Sequence, residues 1–201
     1  MEYVIILGEK MINIPDVPVM ENYNKLLNEK SYYERKTWNL NSLVELSLII
    51  NTDLNIDHIL DVVVLTCMGE LMAESVGIFL PDKFGEYDFK LAKYKGSFTD
   101  INLNDYEIHS GSKIIDYLNS NPLPARLDDI ADNPELSEHI KNIEIFDARV
   151  MAPLVIKNEL NGILILGKKL NNSAYSDDDL HFLEILSHIS GIALENARLY
   201  E

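Results

Sequence analysis

The stretch VMAPLVIKNELNGILILGK, residues 150–168, carries most of the information about the fold. Its two apolar runs are separated by the polar residues 157–159, and this spacing is typical of a β-hairpin. Pro153 cannot donate a hydrogen bond to a neighbouring strand, so we expect a sheet edge, a bulge or a strand end there. Gly162 opens the second run after the tight turn, and we expect it to adopt a positive φ. The stretch therefore predicts an antiparallel strand pair.

Helical and strand patterns continue outward from this hairpin in both directions. Pro15 and Pro18 predict that residues 1–20 contain no helix and form an arm and a linker. Asp53 or Asn55 can cap the helix that is predicted to end at residue 72. The predicted helices span residues 21–52, 53–72, 112–118 and 177–201, with a short one beginning at 133, and the predicted strands span residues 4–7, 75–80, 87–94, 150–156 and 160–168. The short, irregular segments between residues 96 and 149 are expected to lie over and cover another part of the molecule.

The composition excludes several classes of protein. The 17 basic and 33 acidic residues give a net charge of −16, so we expect neither nucleic acid nor an anionic membrane surface as a partner. The apolar runs are far shorter than the roughly 18 residues of a membrane span, so no membrane insertion is expected. Glu2 stands where a signal peptide needs basic residues, which favours a cytoplasmic protein. Cys67, the single cysteine, lies on an apolar helix face and is expected to be a buried core residue.

Four segments near the C-terminal end resemble the GAF family of small-molecule-sensing domains in their order and spacing. They are MAPLVI at residues 151–156, LNGILIL at 160–166, YSDDDL at 175–180 and IALENARLY at 192–200. The resemblance reaches back to about Leu40, where LSLIINTDL at residues 46–54 is similar to the first helix of the family.

The resemblance implies an α+β, GAF-like fold. Its central sheet is antiparallel, the helices through which the chain enters and leaves the domain pack on one face, and an irregular lid covers a pocket on the other. The chain is then expected to divide into an N-terminal arm and linker at residues 1–20, a helical extension at 21–39 and a GAF-like domain at 40–201.

The sequence contains no recognisable catalytic arrangement, so we expect no enzyme, no catalytic residue and no metal site. None of the five histidines forms a metal-binding pair, and no phosphate-binding loop or nucleophile motif occurs. Asp177, Asp178 and Asp179 are interpreted as helix-capping residues together with Ser176, because consecutive helical positions point about 100° apart and cannot converge on one ion.

Cyclic-nucleotide-binding members of the family carry an Asn-Lys pair, a Phe and an Asp-Glu pair after the last strand. Gly167-Lys168, Tyr175 and Asp179-Leu180 stand at these places, which is half of the motif. The alternatives to a sensory module are therefore a cyclic-nucleotide receptor and a ligandless dimerisation scaffold. We also expect Lys168 and Asp179 to form a surface salt bridge at the junction of strand and helix.

Residues in or beside the lid are the candidates for ligand binding. They are Phe98, His109, Ser112, Ile115, Arg126, Asp128, Arg149 and Met151. Arg126 and Arg149 could clamp a carboxylate or phosphate, so any ligand is expected to carry an anionic group, although pairing of both arginines with nearby aspartates is the alternative. The sequence identifies neither the ligand nor a cofactor.

The last helix repeats apolar residues in steps of three and four, as the seam of a coiled coil does. Its apolar stripe is wider than a single sheet requires, so a partner helix is expected. The candidate residues for a parallel homodimer are Leu43, Leu46, Ile50, Phe182, Ile185, Ile189, Ile192, Asn196 and Leu199. The function that this implies is a regulatory module that dimerises and passes a small-molecule signal to a downstream signalling protein.

Overall fold

The structure, a computed structural model, describes residues 4–7, 10–13, 17–82, 88–96, 102, 106–131, 136 and 146–200. The helices in these ranges are α1 (Val17–Asn51), α2 (Ile56–Glu70), α3 (Lys113–Ser120), α4 (Leu127–Ile130) and α5 (Asp177–Tyr200). The strands are β1 (Val4–Leu7), β2 (Lys10–Asn13), β3 (Val76–Pro81), β4 (Phe89–Lys95), β5 (Glu107–Ile108), β6 (Ala125–Arg126), β7 (Ala148–Ile156) and β8 (Glu159–Gly167). The chain divides into two compact units, Met1–Ser42 and Leu43–Glu201.

The first unit holds the strand pair β1–β2 and the N-terminal part of α1. The two strands pair antiparallel, which confirms the strand predicted at residues 4–7. Helix α1 begins at Val17, so the expectation that prolines keep residues 1–20 free of helix is wrong. Pro18 lies in the first turn of α1, where a backbone N–H has no acceptor within the helix and proline is tolerated.

The second unit contains an antiparallel sheet in the order β5-β4-β3-β8-β7-β6. The predicted hairpin forms its β7–β8 pair, and Lys157 and Asn158 turn the chain with φ values of 51° and 66°. Pro153 lies on the part of β7 that extends past the two residues of β6, so it sits at a described sheet edge, as expected. The α+β fold with an antiparallel central sheet is thereby confirmed.

Gly162 has a different role from the predicted one, because the positive φ values belong to the turn residues before it. It pairs with Leu154 inside the sheet. A Cβ atom at Gly162 would lie 2.8 Å from Leu154 Cδ1 and 3.0 Å from both Leu80 Cδ2 and the Phe79 carbonyl oxygen. Glycine is required there by the close approach of the neighbouring strands.

One face of the sheet is covered by the end of α1, by α2 and by α5, as the resemblance implies. The buried side chains of these helices form one apolar cluster with β3, β7 and β8. Cys67 of α2 is fully buried in it, which confirms the expectation of a core residue. Asn55 caps α2 by accepting a hydrogen bond from the His58 N–H, and Asp53 accepts one from the Asn55 N–H.

A second apolar cluster covers the opposite face, where α3 and α4 pack on the sheet. The helix predicted at residues 112–118 is α3, and the short helix predicted to begin at 133 falls outside the described residues. Within the described ranges, no helix combines the length and the apolar composition that a membrane span requires.

Candidate functional site

A surface cleft of about 270 Å³ brings together the two arginines predicted to bind a ligand. Arg126 comes from β6, Arg149 comes from β7, and Lys168 follows the end of β8. Arg126 pairs with Val150, the residue that follows Arg149 on β7. The other lining residues are Asp128, Asn172, Ser173, Ala174 and Tyr175. The cleft therefore gathers three cationic side chains from three neighbouring segments.

Arg126 joins β6 to the beginning of α5. Its Nε donates to the Tyr175 carbonyl oxygen at 2.7 Å, and its Nη2 donates to Asp177 Oδ1 at 2.5 Å. Its Nη1 lies 3.4 Å from Asp129 Oδ2. The hydrogen bond to Asp177 is the main reason that the pKa of Arg126 is raised above its usual value. The side chain thus contacts both the connection before α5 and the first residue of the helix.

Arg149 and Lys168 are held more loosely. Arg149 Nη2 donates to Asp147 Oδ1 at 2.7 Å, and Lys168 Nζ lies 3.3 Å from Glu74 Oε2 and 3.9 Å from Asp147 Oδ2. Both cationic side chains are nearly half exposed, so water and salt screen these pairs. Their chemistry suits the recognition of an oxyanion from solvent.

The expected salt bridge between Lys168 and Asp179 is wrong, because the neighbouring Lys169 makes it. Lys169 Nζ lies 2.6 Å from Asp179 Oδ2, which also accepts hydrogen bonds from the Ser176 N–H and hydroxyl. Burial raises the pKa of Asp179, but the hydrogen bonds from Lys169 and Ser176 outweigh burial and lower it overall. The Asp179 N–H donates to Ser176 Oγ at 3.2 Å, which confirms Ser176 as the cap of α5.

Tyr175 anchors the same connection from inside. Its hydroxyl donates to the Gly167 carbonyl oxygen at 2.7 Å, and Lys169 Nζ lies 5.0 Å from its ring centroid. Burial raises the pKa of the Tyr175 phenol. The connection between β8 and α5 is consequently fixed at Tyr175 and at Asp179, while residues 172–174 face the cleft.

The remaining predicted ligand residues lie elsewhere. Ile115 and Met151 are buried in the second apolar cluster, where their side chains pack on the sheet face opposite α5. Ser112 occupies the N-cap position of α3, and its buried hydroxyl makes no capping hydrogen bond. His109 is exposed, with Nδ1 3.2 Å from Asp88 Oδ2, and this hydrogen bond raises the pKa of His109. Phe98 lies outside the described residues.

Sequence reasoning missed the part of the cleft between β8 and α5. Residues 172–174, which line it, were not singled out. Neither was Lys169, which pairs with Asp179 beside it. Asn172 has a φ of 56°, a left-handed conformation that asparagine tolerates. The run Asn171-Asn172-Ser173 is typical of a turn, and this was the signal that could have located the cleft wall. No group of three or more His, Cys, Asp or Glu side chains in the described part of the chain could hold a metal ion.

Comparison with known proteins places this geometry in a familiar architecture. No protein-family model matches the chain. Residues 122 to 287 of a methyl-accepting chemotaxis protein superpose with a TM-score of 0.60 at 17% identity, over 78% of this chain and 98% of that one. The GAF domain of a phosphoenolpyruvate-protein phosphotransferase from Coxiella burnetii superposes with a TM-score of 0.63 at 19% identity, over 81% of this chain and 95% of that one. The chain has the GAF fold.

One curated relative matches most of the length of this chain. Diguanylate cyclase A of Treponema denticola is 24% identical over 181 residues, which are 90% of this chain and 49% of the relative. The chain with the GAF fold therefore spans about half the length of the curated relative that it matches.

The predicted dimer residues of the GAF fold separate into three groups. Leu43, Leu46, Ile50 and Phe182 are buried in the first apolar cluster; Ile185 and Ile189 are half-buried; Ile192, Asn196 and Leu199 are exposed. The four side chains of the first group are already covered within the chain. Ile192, Asn196 and Leu199 are exposed on the outer side of α5, and Ile185 and Ile189 pack in part against the first apolar cluster.

A second cleft, of about 380 Å³, lies between α5 and the edge of the GAF sheet. Ile185, Ile189 and Ser187 line it from α5, and Pro153 and Val155 line it from β7. Ser187 is buried, and no described group accepts or donates a hydrogen bond to its hydroxyl. This cleft borders the side of α5 that carries Ile185, Ile189 and Ile192.

Proposed function

We propose that this chain is the sensory or regulatory module of a longer signalling protein. In this proposal it forms a parallel homodimer through α1 and α5 and passes a small-molecule signal along α5 to a further domain. The observation that carries the proposal is a row of apolar side chains on the outer side of α5, Ile185, Ile189, Ile192 and Leu199, that the described residues of the chain cover only in part.

Helix α5 is apolar on two sides. Its inner side includes Leu186 and Ala193, which are buried against the sheet and α2. Its outer side carries Ile192, which is 38% exposed, and Leu199, which is 74% exposed, seven residues apart as in a coiled-coil seam. One sheet covers only one side of a helix, so the outer row is best satisfied by a second helix.

Helix α1 has the same property within the second unit. Leu46 and Ile50 point into the apolar cluster, whereas Val44 and Leu48, four residues apart, are 61% and 68% exposed. Residues four apart lie on one side of a helix, so these two side chains form a short apolar patch. Two copies of the chain could cover both outer rows in one helical bundle.

The proposed output follows from the curated relative. A diguanylate cyclase that is about twice as long as this chain contains the matching region, so we propose that the module controls an enzymatic domain of that kind. A helix that continues from α5 into a second domain would carry a change of dimer geometry to it.

A ligandless dimerisation scaffold is the second candidate, and one observation favours it. Phe79, Phe146 and Met151 are fully buried on the sheet face opposite α5, where the GAF resemblance implies a ligand pocket. Apolar packing of this kind leaves the cleft around Arg149 as the more suitable place for a ligand.

Sedimentation velocity tests the proposal directly. The wild-type chain should sediment as a dimer at tens of micromolar, at twice the protomer mass of 22.9 kDa. Ile192→Glu and Leu199→Glu, singly and together, should produce monomers because a buried carboxylate opposes association. Leu170→Glu is the matched control, since Leu170 is 62% exposed and lies in the turn after β8.

Circular dichroism must show that every variant keeps its folded sheet and helices. A monomeric wild type would refute the dimer. Equal loss of association in Leu170→Glu would show that added negative charge, and not the α5 row, governs assembly.

A further inference from the structure

We propose that the cleft around Arg126, Arg149 and Lys168 binds a small molecule through an oxyanion, either a carboxylate or a phosphoryl group. We further propose that Arg126 transmits occupancy of the cleft to the first turn of α5. The transmission rests on the proposed function, whereas binding of the oxyanion does not.

Cationic side chains are concentrated in this cleft although the chain as a whole is acidic. Only four of the 201 residues are arginines, and two of them line this cleft together with Lys168. The chain carries 33 acidic residues against 17 basic ones, whereas the residues that line the cleft include three cations and one carboxylate, Asp128. Arginine presents a planar fork that matches the paired oxygens of a carboxylate or a phosphoryl group.

Arg149 has hydrogen-bond donors that the described residues do not use. A guanidinium has five N–H donors, and the described residues accept a hydrogen bond only from Nη2 of Arg149, through Asp147. No described residue accepts from its Nε or Nη1, and the side chain is 48% exposed. Arg149 can therefore engage an oxyanion without giving up its contact with Asp147.

The carboxylates around the cleft define which ligands are excluded. Asp129, Asp147 and Asp177 pair with the two arginines, and Glu74 pairs with Lys168. These pairs are exposed on at least one side, and exposed ion pairs are weak enough for a ligand to replace. A ligand with many charges would be repelled by the same carboxylates, which favours a compact head group over a polyphosphate.

The size of the cleft leads to the same class of ligand. A volume of about 270 Å³ lies below the usual range of about 300–1,000 Å³ for pockets that enclose drug-sized molecules. The cleft fits a small organic acid or the head group of a phosphate ester. Asn172 and Ser173 add polar groups on the wall opposite the strands.

The path to α5 consists of two hydrogen bonds from one side chain. Arg126 Nη2 contacts Asp177, the first residue of α5, and Arg126 Nε contacts the Tyr175 carbonyl oxygen two residues earlier. The Asp177 side chain is 95% exposed, so the contact with Arg126 is its main restraint among the described groups. An oxyanion that attracts Nη2 would release Asp177 and alter the first turn of the helix.

The test is an NMR titration of the full chain with sodium acetate and, separately, inorganic phosphate. Side-chain Nε–Hε signals report on Arg126 and Arg149 directly, and backbone amides report on residues 173–175 and 177–179. We expect saturable shifts at both arginines and at residues 173–175 with at least one of the two anions. The amides of residues 177–179 should shift with the same midpoint. Sodium chloride at matched ionic strength should not reproduce the pattern.

Two variants and one control make the test specific. Arg149→Gln should weaken binding about tenfold, and Asp177→Asn should strengthen it by removing a competing carboxylate. Arg35→Gln removes the same charge from an exposed position in α1 and should leave binding unchanged. Dispersed amide spectra will show that each variant is folded.

Each outcome bears on one part of the proposal. Saturation by acetate alone identifies a carboxylate ligand, and saturation by phosphate alone identifies a phosphoryl ligand. Shifts that chloride reproduces, or that Arg149→Gln leaves intact, would overturn the binding site. Saturable shifts in the cleft without shifts at residues 177–179 would overturn the coupling. Sedimentation decides the dimer separately, so failure of the site and failure of the proposed function can be distinguished.

Discussion

Replacement of Lys169 by methionine should destabilise the protein far more than the same replacement of the adjacent Lys168. Lys169 is 11% exposed, and its Nζ lies 2.6 Å from Oδ2 of Asp179, which is 20% exposed. Lys168 is 43% exposed, and its nearest carboxylate oxygen lies 3.3 Å away. Methionine keeps most of the apolar stem of lysine, so each substitution chiefly removes a charge and its hydrogen bonds.

The expected magnitude follows from these contacts. A hydrogen bond between charged groups contributes about 1.5–3 kcal/mol, and the cation–π contact of Lys169 with Tyr175 adds about 0.5–1 kcal/mol. Asp179 keeps its hydrogen bonds from Ser176, which limits the penalty. We expect Lys169→Met to cost about 2–3 kcal/mol and Lys168→Met to cost less than about 1 kcal/mol.

Urea denaturation followed by far-ultraviolet circular dichroism measures the difference. With a slope of about 2 kcal/mol per molar urea, Lys169→Met should lower the midpoint by about 1–1.5 M and Lys168→Met by less than about 0.5 M. The protomer concentration must be equal in all samples, because association would shift the apparent stability. Equal costs for the two lysines would refute the assignment of the stabilising pair to Lys169.

The pH dependence provides a second check on the same pair. The pKa of Asp179 is lowered from its usual 3.8 in the folded protein, so the carboxylate contributes stability above that value. This contribution is lost as the pH falls through the folded pKa, because Asp179 then becomes protonated. The stability difference between wild type and Lys169→Met should therefore be complete near neutral pH and shrink below about pH 4. A difference that stays constant down to acidic pH would show that Lys169 acts through packing.

Three further predictions concern residues outside the cleft. Gly162→Ala should lower the free energy of unfolding in urea by about 1–3 kcal/mol, because the new Cβ would press on two side chains and one backbone oxygen. Gly69→Ala should instead stabilise helix α2 by about 0.5–1 kcal/mol, because no atom lies within 4 Å of a Cβ at that position. Cys67 should not react with a thiol reagent at pH 8 until denaturant is added, since burial raises its pKa; rapid reaction of the native protein would contradict this. An NMR titration of His109 should give a pKa above 6.5, and Asp88→Asn should bring it down; an unchanged value would exclude Asp88 as the cause.

The elements that periodicity controls were predictable from the sequence. The hairpin at residues 150–168 and the last helix are predicted by the spacing of apolar residues that lie close together in the sequence. The cap at Ser176 and the burial of Cys67 are equally local, because each depends on one helix and its apolar face. The antiparallel sheet and the helices on one of its faces followed from the GAF resemblance carried by these segments.

The roles that depend on contacts across the sheet could not be predicted. Gly162 was expected to serve the turn, but a Cβ there would be crowded by Leu154 of the same hairpin and also by Phe79 and Leu80, about eighty positions earlier in the chain. Lys168 and Lys169 are adjacent residues of the same type, so the sequence alone does not show which of them pairs with Asp179. The bridge between Ala73 and Lys169 helps to fix which of the two side chains turns towards Asp179. A shift of one residue in register would exchange their environments.

The cleft shows why a correct choice of residues can still miss the site. Arg126 and Arg149 were chosen for charge and position, and the register of β6 on β7 does bring them together. The partner that matters most for Arg126 is Asp177, which lies 51 positions further along the chain and was interpreted only as a capping residue. Asp177 can serve both purposes, because the start of α5 lies beside the edge of the sheet. A carboxylate at the first turn of a helix is stabilised by the helix dipole with or without an arginine. A ligand can therefore take Arg126 from Asp177 without unfolding the helix, and this makes the contact suitable for transmitting a signal.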